Sequence, residues 1–185
     1  LNYIPAENHD IVAGISGIIY FPADEQRRGY RGNPLVSSKR AGKSTGLELA
    51  AYVNDDFELT EQVSISAGLR YAAYSHIGAD TAFRYTEGLP KHANTISDTT
   101  YHEMGENIKS FAGLEPRISM RISVSQNQSV KISYNRMRQF VHLISNTTAP
   151  TPIDLWQVST EHSPPQVANN YSVGYFLNLK DNLWE

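Results

Sequence analysis

Apolar and polar residues alternate strictly through the middle of the chain. Between residues 117 and 124 the even positions read Ile, Met, Ile and Val, whereas the odd positions read Arg, Ser, Arg and Ser. The pattern resumes after the turn-like sequence SQNQS, with Val, Ile and Tyr at positions 130, 132 and 134. A period of two is typical of a β-strand with one apolar and one polar face. Soluble β-sandwiches and membrane β-barrels both contain such strands, so the alternation alone leaves both classes open.

Six segments carry this alternation, and no segment sustains the spacing of an amphipathic helix. We expect strands at about 9 to 21, 47 to 59, 62 to 75, 109 to 125, 128 to 142 and 168 to 180. In the third and the last of these, the odd positions from Val63 to Tyr71 and from Tyr171 to Leu179 are apolar. The sequence therefore predicts an all-β fold whose strands form an antiparallel up-and-down meander.

Short and long connections alternate along the chain. The turns near residues 60 and 126 are short, whereas the segments 22 to 46, 76 to 108 and 143 to 167 contain about 25 to 35 residues each. Compact soluble domains have a median connection of about 4 to 6 residues. A meander with every long loop at one end and every short turn at the other is typical of an outer-membrane β-barrel. We therefore predict that the three long loops lie together at one end of the sheet, on the extracellular side.

The alternation assigns residues to two faces of this predicted barrel wall. An Arg or Lys side chain that faces lipid near the bilayer midplane costs about 2 to 4 kcal/mol, so the face without charges is expected to contact lipid. The predicted lipid-facing residues are Val63, Ile65, Leu69, Ile118, Met120, Ile122, Val173, Tyr175 and Leu177. The residues predicted to line the lumen are Arg70, Glu115, Arg117, Arg121 and Lys131.

The fifth predicted strand breaks the pattern. Continuing its even positions beyond Tyr134 would point Arg136 and Arg138 toward lipid. Either a β-bulge near Asn135 switches the alternation, or the strand has already left the bilayer at this point. We favour the bulge, which would turn Met137 and Val141 outward.

Composition narrows the class of protein further. The 185 residues include 16 Lys and Arg against 19 Asp and Glu, and this near balance does not indicate a nucleic-acid partner. The absence of Cys removes disulfide scaffolds, thiol catalysis and cysteine-ligated metals. The sequence contains no run of about 18 apolar residues, so we expect no transmembrane helix. Strands of a transmembrane barrel need only half of their residues to be apolar.

Three short motifs resemble sites that carry chemistry. AGKSTG at 41 to 46 ends like a phosphate-binding loop, but Ser37 stands where the first glycine is required. His102 and Glu103 suggest a metal site, although adjacent residues on an extended chain point apart. The triplet 146 to 148 matches a glycosylation acceptor, which is common by chance. Because no nucleophile elbow, HExxH motif or paired carboxylates occur, we expect no enzyme activity, no cofactor and no metal site.

The loop PTPIDLWQVSTEHSPPQ carries the one candidate ligand contact. Its prolines restrict the backbone and remove donors, so we expect a semi-rigid extracellular arch. Trp156 lies near the middle, where an aromatic ring can stack on an apolar or sugar-like ligand. The alternative is that Trp156 packs against a neighbouring loop and holds the arch shut.

Three segments of the chain resemble the barrel of TonB-dependent outer-membrane receptors. They are LELAAYVNDDFELTEQVSISAGLRYAAYS at 47 to 75, GLEPRISMRISVSQNQSVKISYNRMRQFVHLISN at 113 to 146, and PTPIDLWQVSTEHSPPQVANNYSVGYFLNL at 150 to 179. The resemblance is to the branch with a carboxypeptidase-regulatory-like extension before the plug. The order GLRY, LEPR, SYNRMRQ and DLW is fairly specific as a set, although each piece alone is weak.

This resemblance implies a barrel of 22 strands that is closed around an N-terminal plug in the bacterial outer membrane. Such receptors import a scarce nutrient, for example an iron chelate, a glycan, cobalamin or a peptide. The implied partners are outer-membrane lipid, the rest of the barrel and its plug, TonB acting through the plug, and a surface lipoprotein as a further candidate. The chain shows neither plug, TonB box nor signal peptide, and about six strands cannot close a barrel wide enough for a plug.

We therefore expect residues 1 to 185 to be a segment of barrel wall with three long extracellular loops, whose two ends look cut. One alternative is a small self-contained outer-membrane barrel with a structural or adhesive role, for which eight strands are the usual minimum. A second alternative is a soluble β-sandwich that serves as a binding module.

Overall fold

The computed structural model describes residues 1–22, 44–144 and 155–178. Within these ranges the strands are β1 (Asn2–Ala6), β2 (His9–Tyr20), β3 (Thr45–Thr60), β4 (Val63–Ile77), β5 (Asp80–Tyr85), β6 (Ile96–His102), β7 (Asn107–Ser125), β8 (Gln128–Gln139), β9 (Val141–Ile144), β10 (Leu155–Val158) and β11 (Gln166–Leu177). One turn of 3-10 helix at Ala93–Thr95 lies between β5 and β6. None of the described residues forms a helix that is long and apolar enough to span a membrane.

Seven of the described strands pair side by side in the order β1-β2-β3-β4-β7-β8-β11. Every pairing in this sheet is antiparallel. Two short hairpins, β5–β6 and β9–β10, form separate two-stranded sheets. Once the hairpins are set aside, neighbours in the sheet are also neighbours along the chain. The prediction of an all-β antiparallel meander is therefore confirmed.

The six predicted strands are all present, with ends shifted by a few residues. β7 begins at Asn107 and β8 ends at Gln139. The prediction extended the last strand to 180, but β11 ends at Leu177, and residues 179 and 180 lie outside the described ranges. The prediction missed β1 and both hairpins. These strands are only four to seven residues long, which is too short to show a sustained period.

The long and short connections leave opposite ends of the sheet, as predicted. At one end Tyr20 pairs with Gly46, and Gln139 pairs with Gln166. We call this the long-loop end, because the chain leaves it at the start of each long connection. At the other end the chain passes from β3 to β4 and from β7 to β8 by tight turns, and β1 reaches β2 in the same way. Antiparallel pairing without crossovers produces this arrangement.

Register gives the sheet two chemically different faces. One row of paired residues contains Ile65, Met120, Ile132 and Val173. The row beside it contains Ser64, Arg121, Lys131 and Gly174. Directly paired residues point to the same side of a sheet, so these rows define an apolar face and a polar face. All nine residues predicted to face lipid lie on the apolar face, and all five predicted to line a lumen lie on the polar face.

β8 parts from β7 before it ends. The ladder between the two strands stops at the pair Arg117 and Asn135, whereas the pairing of β8 with β11 continues without a register shift. Beyond this point the backbone N–H of Arg138 donates to Glu115, and the Arg138 guanidinium donates to the carbonyl of Leu114. The predicted β-bulge near Asn135 is therefore wrong. The strand bends toward the polar face instead, and this bend keeps the Arg138 charge away from the apolar face.

The missing bulge also affects the predicted orientation of two further side chains. The bulge was expected to turn both Met137 and Val141 outward. Both expectations are wrong, because Met137, paired with Ala168, keeps the parity of the polar face, and Val141 packs against the buried core. An alternation pattern does not reveal a strand that leaves its neighbour, because the side chains of that strand keep their alternation.

The buried apolar core lies on the polar face at the long-loop end. Tyr74 and Ala72 of β4 and Ala50 of β3 meet Phe140 and Val158, which belong to the β9–β10 hairpin and its approach. The rings of Tyr74 and Phe140 stack with centroids 4.8 Å apart and 5° between their planes. We call residues 140–144 and 155–159 the cap hairpin, since they cover this part of the sheet.

We predict that Phe140→Ala releases the cap hairpin while leaving the large sheet folded. The substitution removes the stack on Tyr74 and leaves a cavity, at a cost of about 3 kcal/mol. Amide hydrogen exchange in Val141–Ile144 and Leu155–Val158 should therefore accelerate by about 100-fold. Trp156→Ala is the matched control, because Trp156 is 52% exposed on the same hairpin. Equal acceleration in both variants would contradict the packing described.

Candidate functional site

Five neighbouring strands contribute to one polar network on the polar face. The Arg70 guanidinium of β4 lies 2.6 Å from a carboxylate oxygen of Glu48 and 2.8 Å from one of Glu115. The Tyr20 hydroxyl donates to the second oxygen of Glu48 at 2.7 Å. The backbone N–H of Arg138 donates to the second oxygen of Glu115 at 2.9 Å. We call these five residues the ion-pair belt.

The belt satisfies charges that are almost removed from water. Glu115 is 1% exposed and Glu48 is 6% exposed. A buried carboxylate without partners would cost several kcal/mol, and here all four carboxylate oxygens accept a hydrogen bond. The Arg70 guanidinium bonds both carboxylates. The donors from Tyr20 and Arg138 add hydrogen bonds that stabilise these negative charges.

Gly113 allows Arg138 to reach the belt. The Arg138 guanidinium lies directly over Gly113, and a Cβ at this position would overlap it. Because Gly113 has no side chain, the Arg138 guanidinium can lie over it and donate to the carbonyl of Leu114 at 2.8 Å. The glycine therefore leaves room for this side chain.

Ser159 fixes the cap hairpin to the large sheet. Its backbone N–H donates to the Phe140 carbonyl at 2.7 Å, and its own carbonyl accepts from the Tyr74 hydroxyl at 3.1 Å. Its side-chain oxygen lies 3.0 Å from Nε2 of His142. Because Ser159 is completely buried, this serine and histidine hold the hairpin in place and present no accessible nucleophile.

The connection after the cap hairpin contacts the other hairpin, β5–β6. His162 Nε2 donates to the Phe83 carbonyl at 2.7 Å, and Lys91 donates to His162 Nδ1 at 3.2 Å. The ring of Tyr85 meets that of His162 edge to face, with centroids 5.1 Å apart. The two hairpins at the long-loop end are thus joined through one histidine.

Asp80 attaches the start of the β5–β6 hairpin to the sheet. Its carboxylate accepts from Ser44 at 2.5 Å, from the backbone N–H of Thr81 at 2.7 Å, and lies 3.2 Å from His76 Nε2. Partial burial on its own would raise the pKa of this carboxyl. The bonds from His76, Ser44 and Thr81 outweigh it and hold the pKa of Asp80 below its usual value.

The residues predicted to line a lumen separate into two groups. Arg70 and Glu115 belong to the ion-pair belt, whereas Arg117, Arg121 and Lys131 form no ion pair with any described residue. The prediction did not include the other belt members, Tyr20, Glu48 and Arg138. The sequence could have indicated Glu48 as a further residue of the polar face, because Glu48 alternates with the apolar Leu47 and Leu49. The contribution of Arg138 depends on the bend of β8, which no local pattern indicates.

Trp156 lies on β10 of the cap hairpin, opposite Leu143. It is 52% exposed and Leu143 is 44% exposed, on the same side of the hairpin as the buried Val158 but farther from the core. Residues 155–158 of the predicted semi-rigid arch form a strand, and residues 151–154 lie outside the described ranges, so the arch stays a prediction. Half of the indole surface is open to a ligand, and a ligand contact at Trp156 stays a prediction.

The remaining motifs add no chemistry within the described ranges. His102 Nδ1 lies 2.9 Å from a carboxylate oxygen of Glu106, and no group of three or more His, Asp or Glu residues there is arranged to hold a metal ion. Residues 41 to 43 of AGKSTG and the triplet 146 to 148 lie outside the described residues.

Comparisons with known proteins give a structural likeness at low sequence identity. No protein-family model and no curated protein matches the chain. Among solved structures, the chain is similar to a double mutant of the Serratia marcescens hemophore receptor HasR in complex with its hemophore HasA and heme. The identity is 18% and the TM-score is 0.48. The match covers 99% of this chain and 29% of that chain, so the chain spans less than a third of the receptor it resembles.

We predict that Arg70→Met is among the most destabilising single substitutions on the polar face. It leaves Glu48 and Glu115 buried without a counter-charge, which costs roughly 3 to 5 kcal/mol. Thermal unfolding monitored by circular dichroism should show the loss. Arg117→Met serves as control, because Arg117 forms no ion pair with a described residue, and should cost under about 0.5 kcal/mol. Adding Glu48→Gln and Glu115→Gln to Arg70→Met should restore more than half of the lost stability, and failure to do so would argue against the belt.

We also predict that acid loosens the β5–β6 hairpin. The pKa of Asp80 lies below its ordinary value of 3.8, so the ionised form favours the folded state. Its contribution is complete above about pH 4 and is lost as the pH falls through the lowered folded-state pKa. An NMR titration of the Asp80 and Thr81 amide signals should report this transition. Asp80→Asn should remove it, and an unchanged transition in that variant would assign it to another group.

Proposed function

We propose that the chain is a segment of the wall of a bacterial outer-membrane receptor that takes up a scarce nutrient with energy from TonB. The observation that carries the proposal is the exposed apolar face of the large sheet. Ile15, Tyr171 and Val173 are 87%, 78% and 76% exposed, so no described element covers the face at these points. Exposed apolar surface of this extent is typical of contact with lipid or with a partner.

The charge distribution on that face supports lipid as the solvent. Across β4, β7 and β11 the apolar face shows no charged residue over its described length. The charged residues of the other strands on this face are His9 of β2 and Asp55 of β3, which lie 2.9 Å apart and so form a pair, and Arg136 of β8, which is paired with Asn169 toward the long-loop end. Lipid penalises an unpaired charge by several kcal/mol, and a pair reduces that penalty.

Strand length supports the same reading. Average strands in globular proteins contain about 5 to 6 residues, and a strand that crosses a bilayer at a tilt needs about 9 to 11. The strands β2, β3, β4, β7, β8 and β11 contain 12 to 19 residues. Each is long enough to cross the hydrocarbon region and to extend beyond it.

The open edges of the sheet indicate that more strands complete the wall. Among the described residues, β11 pairs only with β8, and β1 pairs only with β2. An open edge cannot stand in hydrocarbon, because its backbone N–H and C=O groups would have no partner. In our proposal further strands of the same receptor pair with these edges and close the barrel around a plug.

The polar face would then line the interior, and the long-loop end would face the outside of the cell. The cap hairpin covers part of that interior face and leaves about half of the Trp156 side chain exposed, so Trp156 is the candidate contact for an iron chelate, a glycan, cobalamin or a peptide. Outer-membrane lipid, the remaining barrel and plug, and TonB acting on the plug are the proposed partners. A surface lipoprotein over the long loops is a further one.

Fractionation and growth test the proposal together. The full-length protein should sediment with outer membranes and be released by detergent but not by high salt. On a panel of iron chelates, glycans, cobalamin and peptides, growth on one class should be lost when either this receptor or TonB is deleted. A protein released by salt alone, or a nutrient whose use needs the receptor but not TonB, would contradict the proposal.

A further inference from the structure

Arg136 stands on the apolar face without a counter-charge among the described residues. Register places it opposite Asn169 of β11, one row beyond the pair of Tyr134 and Tyr171. Its side chain forms no ion pair or hydrogen bond with a described residue, and its Nε is shielded from solvent. The bend of β8 draws the next charge, Arg138, toward the polar face, whereas Arg136 stays on the apolar one.

The position of Arg136 along β8 places it at the border of the hydrocarbon region. β8 begins at Gln128 beside a short turn, and Arg136 is its ninth residue. A strand that crosses a bilayer at a tilt needs about 9 to 11 residues. The rings of Tyr134 and Tyr171 lie just before Arg136 with centroids 4.9 Å apart, and aromatic residues mark the interfaces of membrane barrels. With the long-loop end outside the cell, Arg136 lies at the level of the outer-leaflet headgroups.

Asn169 places further donors beside the Arg136 guanidinium. The Tyr134 hydroxyl donates to Oδ1 of Asn169 at 3.1 Å, so the amide is held by its oxygen and its Nδ2 group has no partner among the described residues. A guanidinium presents its N–H groups in a planar fork that matches the oxygens of a phosphate. The apolar faces of β7, β8 and β11 carry no carboxylate within the described ranges. Donors and a positive charge without a neighbouring carboxylate select an anion.

We infer that Arg136 and Asn169 bind a phosphate group of an outer-leaflet lipid, whose acyl chains lie against Tyr171 and Val173. A charge at the edge of the hydrocarbon region is costly without a partner, and a headgroup phosphate provides one of opposite sign. Tyr171 and Val173 are 78% and 76% exposed, so acyl chains have free access to the surface beside the site. A phosphate without acyl chains would gain the polar contacts alone.

The inference rests on the proposed function, because lipid meets this face only if the sheet is part of an outer-membrane barrel. It adds one fixed lipid contact to a wall whose other apolar residues meet acyl chains of any kind. β8 leads directly into the cap hairpin. A lipid bound at Arg136 would therefore hold the strand from which that hairpin starts.

Photo-cross-linking in the full-length receptor tests the inference at this site. The cross-linker p-benzoylphenylalanine replaces Val167, which is the next apolar-face residue beyond Asn169 and is partly exposed. The receptor is reconstituted in vesicles of a neutral galactolipid that contain a small fraction of lipid A, a phosphorylated outer-leaflet lipid, or of the same lipid without phosphates. Lipid A should be cross-linked about tenfold more than the phosphate-free form, because only lipid A offers the guanidinium a charged partner.

Variants assign this preference to Arg136. Arg136→Gln should abolish it, and Arg136→Lys should keep part of it, because an ammonium group retains the charge without the fork. Arg117→Gln is the matched control. Arg117 pairs with Asn135, the neighbour of Arg136 in sequence, and therefore lies on the polar face. This control should keep the full preference. An excess of inorganic phosphate should not displace lipid A, because it has no acyl chains.

The outcomes separate this inference from the proposed function. Equal cross-linking of the two lipids would overturn the inference, and this comparison needs no variant at Arg136. A preference that survives Arg136→Gln, or that is lost equally in Arg117→Gln, would also overturn it. Full competition by inorganic phosphate would assign the donors to a free anion and overturn the lipid. In each of these cases a receptor that resides in the outer membrane and imports its nutrient keeps the proposed function. A protein that does not reside there would defeat the proposed function itself.

Discussion

Continuous antiparallel pairing from β2 to β11 is the constraint on which the other features depend. Because the side chains of a strand alternate with a period of two, one register shift would move a whole row of apolar residues to the opposite face. The ladders keep one register across β2, β3, β4, β7, β8 and β11, apart from irregularities near strand ends. The two faces therefore stay chemically distinct over six strands. This register also determines where each feature of the polar face lies.

The ion-pair belt uses that register to bring together residues that are far apart in sequence. Burying two carboxylates around one guanidinium gains little net stability by itself, because desolvation offsets most of the attraction. Its effect is one of specificity, since Glu48, Arg70 and Glu115 satisfy one another only when β3, β4 and β7 are in the observed register. The bent end of β8 also bonds to this network, through the backbone N–H of Arg138. The cap hairpin follows β8 directly, so its position depends on the order of the strands.

The long strands, the two faces and the grouping of loops were predictable because each follows from a periodic pattern. The ion-pair belt was predictable only in part. Arg70 and Glu115 stand at polar-face positions, but their contact depends on which strands are neighbours. The bend of β8 and the cap hairpin were not predictable, because their contacts are those of Arg138 with Glu115 and Leu114 and of Phe140 with Tyr74. Such contacts join segments that are distant in sequence, so neither segment carries a periodic pattern that predicts them.

The most direct test of the central claim is to measure which solvent each face of the sheet meets. The 185 residues contain no cysteine, so single cysteines can be placed in this segment of the full-length protein without competing sites from it. Spin labels at Ile118 and Val173 on the apolar face would be compared with labels at Ser119 and Ser172, their neighbours on the polar face. In reconstituted bilayers, the account predicts that the first pair collides more often with oxygen, which concentrates in lipid, and the second pair with a water-soluble nickel complex. Equal access of the nickel complex to both faces would contradict it.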